Sequence, residues 1–158
     1  MNVTILAIGK MKDKALLQLQ EEYCKRLKAF CTAQVIEVKD EPCEHEDRAS
    51  EITAIREKEG ERALEKIKDG DYCVLLDLRG KMYSSETFAK ALSGIMQGAS
   101  SIVFVIAGSY GPSEALIRRA NARWKLSDLT FTHLMTRVLV LEQIYRAFMI
   151  NTGRTYHK

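Results

Sequence analysis

Short apolar runs alternate with longer amphipathic stretches along the chain, and this alternation predicts its elements. The short runs are rich in β-branched residues, which is typical of buried strands, whereas the longer stretches repeat with helical spacing. The predicted strands cover residues 2–8, 33–38, 72–78, 102–107 and a short segment that begins at Trp124. The predicted helices cover about 13–29, 50–68, 86–97, 113–123 and 133–151. This βα alternation favours an α/β fold with a mainly parallel sheet and helices on both faces. We expect a single domain over residues 1–158.

The last predicted helix is apolar at nearly every angle. Between His133 and Asn151, apolar side chains occur on all sides of the helix axis. A helix of this kind must be buried on most sides. Two explanations fit a terminal helix: it lies deep in the fold, or a second subunit covers it, most commonly in a symmetric dimer.

The fourth predicted strand leads directly into a glycine turn and a helix start. The segment Gly108-Ser-Tyr-Gly111 follows the strand, and Ser113 is a candidate N-cap for the next helix. Ligands bind beyond the carboxyl ends of strands in open α/β sheets. The turn is therefore a candidate ligand site, although an ordinary strand-to-helix connection has the same pattern.

Charge is distributed unevenly along the chain. The 158 residues carry a net charge of +3, but residues 101–158 hold 8 Lys or Arg against 3 Asp or Glu. A basic C-terminal half suits a polyanionic partner, and solvated basic helix faces are the simpler alternative. The chain has no signal-peptide pattern and no apolar run of the ~18 residues that a membrane span needs. We therefore expect a cytoplasmic protein.

The sequence lacks the motifs of several common enzyme and metal-binding classes. The four cysteines form no CxxC pair, so reduced thiols are expected. The sequence contains no GxGxxG, GxxxxGK[ST], GxSxG or HExxH. His45 lies in an acidic loop, which needs no metal to explain it, and we expect no metal site.

Polar residues interrupt the apolar last helix. Glu142 and Arg146 are four residues apart and can simply form an ion pair on one face. Buried charges are costly unless they are paired or used, so a functional role is the alternative. The chain ends in Tyr156-His157-Lys158, and terminal segments usually fray.

Taken together, these motifs resemble the RlmH family of SPOUT-class methyltransferases. The matching segments are Ile5-Leu-Ala-Ile-Gly-Lys10, Glu57-Lys-Glu-Gly60, Leu76-Asp-Leu-Arg-Gly-Lys81, Ser84-Ser-Glu86, Phe104-Val-Ile-Ala-Gly108 with Gly111, Lys125-Leu-Ser-Asp-Leu-Thr130, His133, Arg137-Val, Glu142-Gln-Ile-Tyr-Arg-Ala147 and Tyr156-His-Lys158. They span the whole chain in order. The sequence departs from the family pattern at Ala107, Pro112 and Thr132, and none of these changes removes a reactive group.

The resemblance implies a function and an architecture. Members methylate a pseudouridine of large-subunit (23S) ribosomal RNA at N3, with S-adenosylmethionine as the methyl donor. The family fold implies a C-terminal trefoil knot and a homodimer in which the partner chain completes the active site. We expect the substrate to be the assembled ribosome, since the chain has no RNA-binding appendage.

The resemblance also implies roles for particular residues. The donor is expected to bind at Leu76, Gly108, Ser127, Asp128, Leu129, Thr130, Phe131 and Thr132. Catalytic candidates are Arg146, His157, Tyr156 and Glu142, with Arg146 stabilising negative charge on the base. Contacts to the RNA backbone are expected from Arg118, Arg119, Arg123, Arg137 and Arg154.

Two other classes of function remain open at this point. One is a non-catalytic module for structured RNA, which needs neither the glycine turn nor the Glu142–Arg146 pair. The other is a nicotinamide-dependent oxidoreductase, which the missing GxGxxG and the basic C-terminal half disfavour.

Overall fold

A computed structural model describes residues 1–156, in which five strands alternate with five helices. The strands are β1 (Asn2–Ile8), β2 (Thr32–Val38), β3 (Tyr72–Lys81), β4 (Ser101–Ile106) and β5 (Ala122–Trp124). The helices are α1 (Lys14–Leu27), α2 (Ala49–Leu64), α3 (Ser85–Gly98), α4 (Glu114–Arg119) and α5 (His133–Asn151). The predicted alternation is confirmed.

The strands form one parallel sheet in the order β2-β1-β4-β3-β5. Leu6 of β1 lies opposite Ile36 of β2 on one side and Val105 of β4 on the other. Because β1 and β4 are flanked on both sides, their apolar runs are buried almost completely.

Helices cover both faces of the sheet, as predicted. Ile5 and Phe104 belong to the core formed with α1, α3 and α5, whereas Leu6 and Val105 face α2 and α4. Alternate residues of a strand point to opposite faces, so each central strand contributes to both cores. The α/β prediction is therefore confirmed.

Several predicted boundaries were wrong. β3 continues to Lys81, beyond its predicted end at 78, since the N–H of Lys125 donates to the carbonyl of Lys81 at 2.9 Å. α4 ends at Arg119, and β5 begins before Trp124. Asn121 exchanges hydrogen bonds with the backbone of Cys73 at 2.8 Å, which draws the chain alongside β3.

Two further corrections concern α2. It begins at Ala49, one residue before its predicted start at 50, and its N-cap Arg48 makes no side-chain capping bond. It ends at Leu64, before the predicted limit at 68. By contrast, Asp13, Ser84 and Ser113 cap α1, α3 and α4 through side-chain hydrogen bonds.

α5 spans the predicted residues and packs between α1 and α3. Leu141, Ile144 and Phe148 lie in the core with the inner faces of those helices. Burial within the chain therefore accounts for much of its apolar surface. The knot, the partner subunit and the single-domain assignment stay predictions. Within residues 1–156, no helix combines the length and apolar character that a membrane span requires.

Candidate active site

The glycine turn lies where the sheet reverses its winding direction. β1 and β4 are neighbours, but the helices that follow them, α1 and α4, lie on opposite faces. Such a switch point opens a crevice beyond the strand ends, where α/β proteins bind ligands. Gly111 has φ +86° and its N–H donates to the carbonyl of Gly108 at 3.0 Å, so the turn is tight.

Gly108 is packed against a buried carboxyl group of α2. A Cβ built on Gly108 would lie 2.9 Å from Glu59 Oε1. Glu59 is 3% exposed, and its Oε2 accepts a hydrogen bond from the N–H of Glu41 at 3.0 Å. Its Oε1 has no hydrogen-bond partner within residues 1–156. Burial is the main cause that raises the pKa of Glu59.

The other expected donor-binding residues follow the ends of neighbouring strands. Leu76 of β3 lies opposite Trp124 of β5, and Leu75 lies opposite Val105 of β4. Because these strands are parallel, their carboxyl ends meet at one edge of the sheet. The segment that begins at Ser127 starts at this edge and runs to α5.

This segment is largely open to solvent. Leu129 is 71% exposed and Phe131 is 40% exposed, both unusual for large apolar side chains. Ser127 accepts a hydrogen bond from the N–H of Leu129 at 3.0 Å, and Thr132 caps α5 by accepting from the N–H of Met135 at 3.3 Å. The segment therefore combines a locally ordered backbone with exposed apolar side chains.

The expected RNA contact of Arg137 is wrong. Its side chain is fully buried and forms an ion pair with Glu37 at 2.6 Å. It also donates to the carbonyl of Gly9 at 2.8 Å and to that of Ile8 at 3.3 Å. Arg137 therefore ties α5 to the end of β1 and presents no surface to a phosphate.

Two more of the expected RNA-binding arginines make internal contacts. Arg119 donates to the carbonyls of Lys68 and Asp71 at 2.9 and 3.0 Å. Arg123 forms an ion pair with Asp77 at 2.6 Å, which links β5 to β3. Both are half-buried, whereas Arg118 and Arg154 are exposed.

The structure brings three of the catalytic candidates together. Arg146 donates to Glu142 at 2.7 Å, and the hydroxyl of Tyr156 donates to the same carboxylate oxygen at 3.3 Å. The guanidinium carbon of Arg146 lies 4.7 Å from the centre of the Tyr156 ring. The ion pair that spacing alone predicts is thus present, with a third polar group attached. His157 lies outside the described residues.

The pKa shifts of Tyr156 and Arg146 indicate which role each side chain can take. Burial and hydrogen bonds with Tyr23 and Glu142 raise the pKa of Tyr156 to about 12. Tyr156 therefore stays protonated near neutral pH and acts as a hydrogen-bond donor. The hydrogen bond with Glu142 raises the pKa of Arg146, which stays positively charged.

Sequence analysis assigned no role to Glu59 or Tyr23. Glu59 lies in the segment Glu57-Lys-Glu-Gly60, and the resemblance of this segment to the family was the one indication in the sequence that Glu59 has a role. Tyr23 lies on the apolar stripe of α1, where a tyrosine is more often part of the core. Tyr23 packs against the core, and a hydrogen bond with it also contributes to the raised pKa of Tyr156.

The expected donor-binding residues and the catalytic candidates lie at opposite ends of α5. Thr132 caps the helix at the edge of the sheet that carries the glycine turn, and Arg146 follows roughly 20 Å further along the axis. At that end, Phe148 stacks on Phe30, which lies two residues before β2. Within one chain the two sets therefore do not meet.

This parallel sheet with a glycine turn at its switch point defines an α/β protein with a cofactor-type crevice. Comparison with known protein families identifies the family to which this α/β protein belongs. A family model described as "Predicted SPOUT methyltransferase" matches residues 1–157. The chain belongs to the SPOUT methyltransferase family.

Curated relatives match over the full length of the chain. Proteins of Clostridium acetobutylicum and Ligilactobacillus salivarius, both named ribosomal RNA large subunit methyltransferase H, are 46% identical over 159 aligned residues, covering 100% of both chains in each case. A solved structure of a probable methylase family protein from Haemophilus influenzae is similar in fold, with a TM-score of 0.53 and 11% identity, covering 99% of this chain and 70% of the other.

Proposed function

We propose that this protein transfers a methyl group from S-adenosylmethionine to N3 of a pseudouridine in large-subunit ribosomal RNA. Membership of a methyltransferase family and full-length similarity to named ribosomal RNA methyltransferases support the reaction class and the RNA substrate. The base and its N3 position rest on the resemblance of the motifs. The assembled ribosome in the cytoplasm is the proposed setting.

One observation supports this function most directly. The switch point of the sheet, where α/β proteins bind ligands, lies near the start of α5, and a charged, hydrogen-bonded group of side chains lies at its end. A methyl transfer needs both a donor site and a group that prepares the acceptor. A non-catalytic RNA module would need neither.

The residues at the crevice fit a nucleoside-type methyl donor. Gly111 has open space where a side chain would stand, Gly108 lets the turn pack closely against Glu59, and the segment 127–132 leaves most of its residues accessible. When bound, S-adenosylmethionine supplies an activated methyl group on a sulfonium. The protein's part is to hold the donor and exclude water.

The group of Glu142, Arg146 and Tyr156 fits the acceptor. A uracil-type base must lose its N3 proton before or during attack, and negative charge then develops on the ring. Arg146 stabilises that charge, and Tyr156 donates a hydrogen bond to it. Tyr156 is protonated near neutral pH and therefore does not take the proton. We propose that Glu142 or His157 takes it.

A homodimer would unite these two sets of residues. The α5 helices of two chains, placed side by side in opposite directions, bring Arg146 of one subunit to the crevice of its partner. Exposed Met135 and half-buried Leu139 on α5, and exposed Leu19 on α1, provide apolar surface for such a contact. A two-fold axis then creates two equivalent sites.

The test is transfer of a labelled methyl group by the purified protein. Ribosomes and free large-subunit RNA from cells that lack this gene are incubated with labelled S-adenosylmethionine, and the RNA is mapped by mass spectrometry. We expect one methyl group at one pseudouridine, with faster transfer on ribosomes. Calorimetry with S-adenosylmethionine alone should show binding.

Two results would contradict the proposal. Methylation at a carbon or a ribose oxygen would exclude N3 chemistry at this site. Binding of RNA without heat on addition of S-adenosylmethionine would instead identify a non-catalytic RNA module.

A further inference from the structure

A continuous group of aromatic rings lies at the end of α5 that carries Arg146. This aromatic cluster consists of Tyr23, Phe30, Tyr145, Phe148 and Tyr156. Tyr145 is its centre, with ring centroids 6.2 Å from Tyr23, 6.1 Å from Phe30 and 5.0 Å from Tyr156. Phe30 stacks on Phe148 at 5.4 Å. Rings from α1, the turn after it, α5 and the C-terminal segment thus form one connected cluster, with Phe148 at its buried side.

Three arginines lie on this aromatic cluster. The guanidinium carbons of Arg26, Arg146 and Arg154 are 4.7 to 5.8 Å from the nearest ring centroids. Arg26 lies over two of the rings at once. Stacking on a ring orients the planar guanidinium while leaving its N–H groups able to bind an anion.

Arg26 and Arg154 are accessible to a ligand. Arg154 is exposed, and Arg26 pairs with Glu22 at 3.0 Å on a surface where both side chains are more than 40% exposed. An ion pair this exposed contributes little and yields easily to a stronger anion. Lys25 and Lys28, also exposed, add positive charge at the same end of α1.

The other arginines that were expected to contact RNA offer weaker sites for a phosphate. Arg119, Arg123 and Arg137 are held by internal partners, as described above. Arg118 is exposed in a groove between α2 and α4, but Glu57, Glu61 and Glu114 line the same groove. These three carboxylates outnumber the two guanidinium groups of the groove, those of Arg56 and Arg118, and therefore repel a polyanion.

We propose that the end face formed by Arg26, Arg154 and the aromatic cluster binds the RNA strand that carries the target base. Arg26 and Arg154 contact phosphates, and their stacked planes offer flat surfaces to unpaired bases beside the target. Arg146 stacks on Tyr156 of the same cluster, so a strand bound at this end face passes close to the group that prepares the acceptor. This inference rests on the proposed methyl transfer and assigns the substrate's docking surface.

The test compares RNA binding of single arginine variants as salt is varied. The probe is deproteinised large-subunit ribosomal RNA, and the variants are Arg26→Ala, Arg154→Ala and the double variant. Each lost phosphate contact should reduce the slope of log affinity against log salt by about 1. We expect the double variant to lose at least ~10-fold in affinity and about 2 in slope.

Three further variants sharpen the comparison. Arg48→Ala removes an exposed arginine on the far side of the sheet and should change neither quantity. Arg118→Ala should leave the slope unchanged if the end face is the docking surface. Arg26→Lys should retain the slope but lose affinity, because an ammonium keeps the charge without the stacked plane.

The outcomes separate this inference from the proposed function. Wild-type slope and affinity in the double variant, or an equal loss in Arg118→Ala, would overturn the end-face assignment while leaving methyl transfer intact. Failure of the wild-type protein to methylate RNA would instead count against the proposed function. Unchanged binding of S-adenosylmethionine by the double variant, measured by calorimetry, shows that the fold and the crevice are preserved.

Discussion

The guanidinium of Arg137 donates to the backbone carbonyl of Gly9 at 2.8 Å, although 128 positions separate the two residues in the chain. Glu37 completes the contact through its ion pair with Arg137, and the same carboxylate oxygen accepts the N–H of Met11 at 2.7 Å. One buried side chain thereby joins α5 to the ends of β1 and β2. The orientation of the last helix relative to the crevice depends on this junction.

Substituting Arg137→Met should lower the free energy of unfolding by about 3 kcal/mol, since the buried partner groups lose their donor. Urea unfolding followed by circular dichroism measures the change. Arg48→Ala, which removes an exposed guanidinium, should alter stability by less than about 0.5 kcal/mol. Equal stability of both variants would show that Arg137 is not structural.

Mixing two inactive variants should restore activity if the active site is shared between subunits. Arg146→Ala removes the acceptor group, and Gly108→Val blocks the donor crevice. When equal amounts are unfolded together and refolded, half of the dimers are mixed and each contains one intact site. Methyl transfer should therefore return to about one quarter of the wild-type rate.

Each variant alone should be inactive but folded, which thermal unfolding verifies. Arg146→Lys serves as the conservative comparison, since it retains positive charge without the planar fork. No recovery in the mixed sample, with mixed dimers demonstrated by native mass spectrometry, would place both parts of the site within one chain.

Gly108→Ala should weaken binding of S-adenosylmethionine by about 10-fold, equivalent to about 1.4 kcal/mol. The added methyl group would lie 2.9 Å from Glu59 Oε1, so the turn or the carboxyl must shift. Isothermal calorimetry measures the affinity. Gly94→Ala is the matched control, because Gly94 lies in α3 with open space around its Cα. Equal affinities in the two variants would contradict a donor site at Gly108.

Glu59→Gln should become more stable relative to wild type as pH rises. Burial raises the pKa of Glu59 in the folded protein, so the folded state holds its proton more tightly than the unfolded state does. Wild-type stability therefore falls as pH rises from the ordinary glutamate range through the raised pKa. Glutamine carries no charge and avoids this loss, while its amide oxygen can still accept the N–H of Glu41.

Urea unfolding of both proteins at about pH 4 and about pH 8 measures the difference in free energy. The free energy of unfolding of the variant should increase relative to that of the wild type at the higher pH. A difference that is independent of pH would mean that the Glu59 carboxyl ionises normally in the folded protein.

Much of the fold could be predicted because local patterns and packing agree. α5 has the predicted limits, since apolar residues recur along its whole length and Thr132 caps it. β1 likewise has the predicted limits, as its apolar run ends at Gly9. β5 could not be located, because its three residues are ordered by Asn121 and β3, and this pairing leaves no local pattern.

The functions of arginines were harder to predict than the fold. Composition records charge but not burial, so Arg137 and Arg154 looked equivalent in the sequence. In the structure one is fully buried and the other is exposed over Phe30. The sequence did not indicate an RNA contact for Arg26, because this residue lies in the half of the chain where acidic residues outnumber basic ones.

Because Arg137 fixes α5 to the ends of β1 and β2, the number of residues between Arg137 and Glu142 determines where Glu142 and Arg146 lie. Glu142 follows Arg137 by five positions, and one inserted residue between them would turn Glu142 by about 100° and advance it by about 1.5 Å. The carboxylate and Arg146 would then face a different neighbour, although every element of the sheet could remain in place. Related chains can vary their surface loops freely, but we expect this stretch of helix to keep a constant residue count.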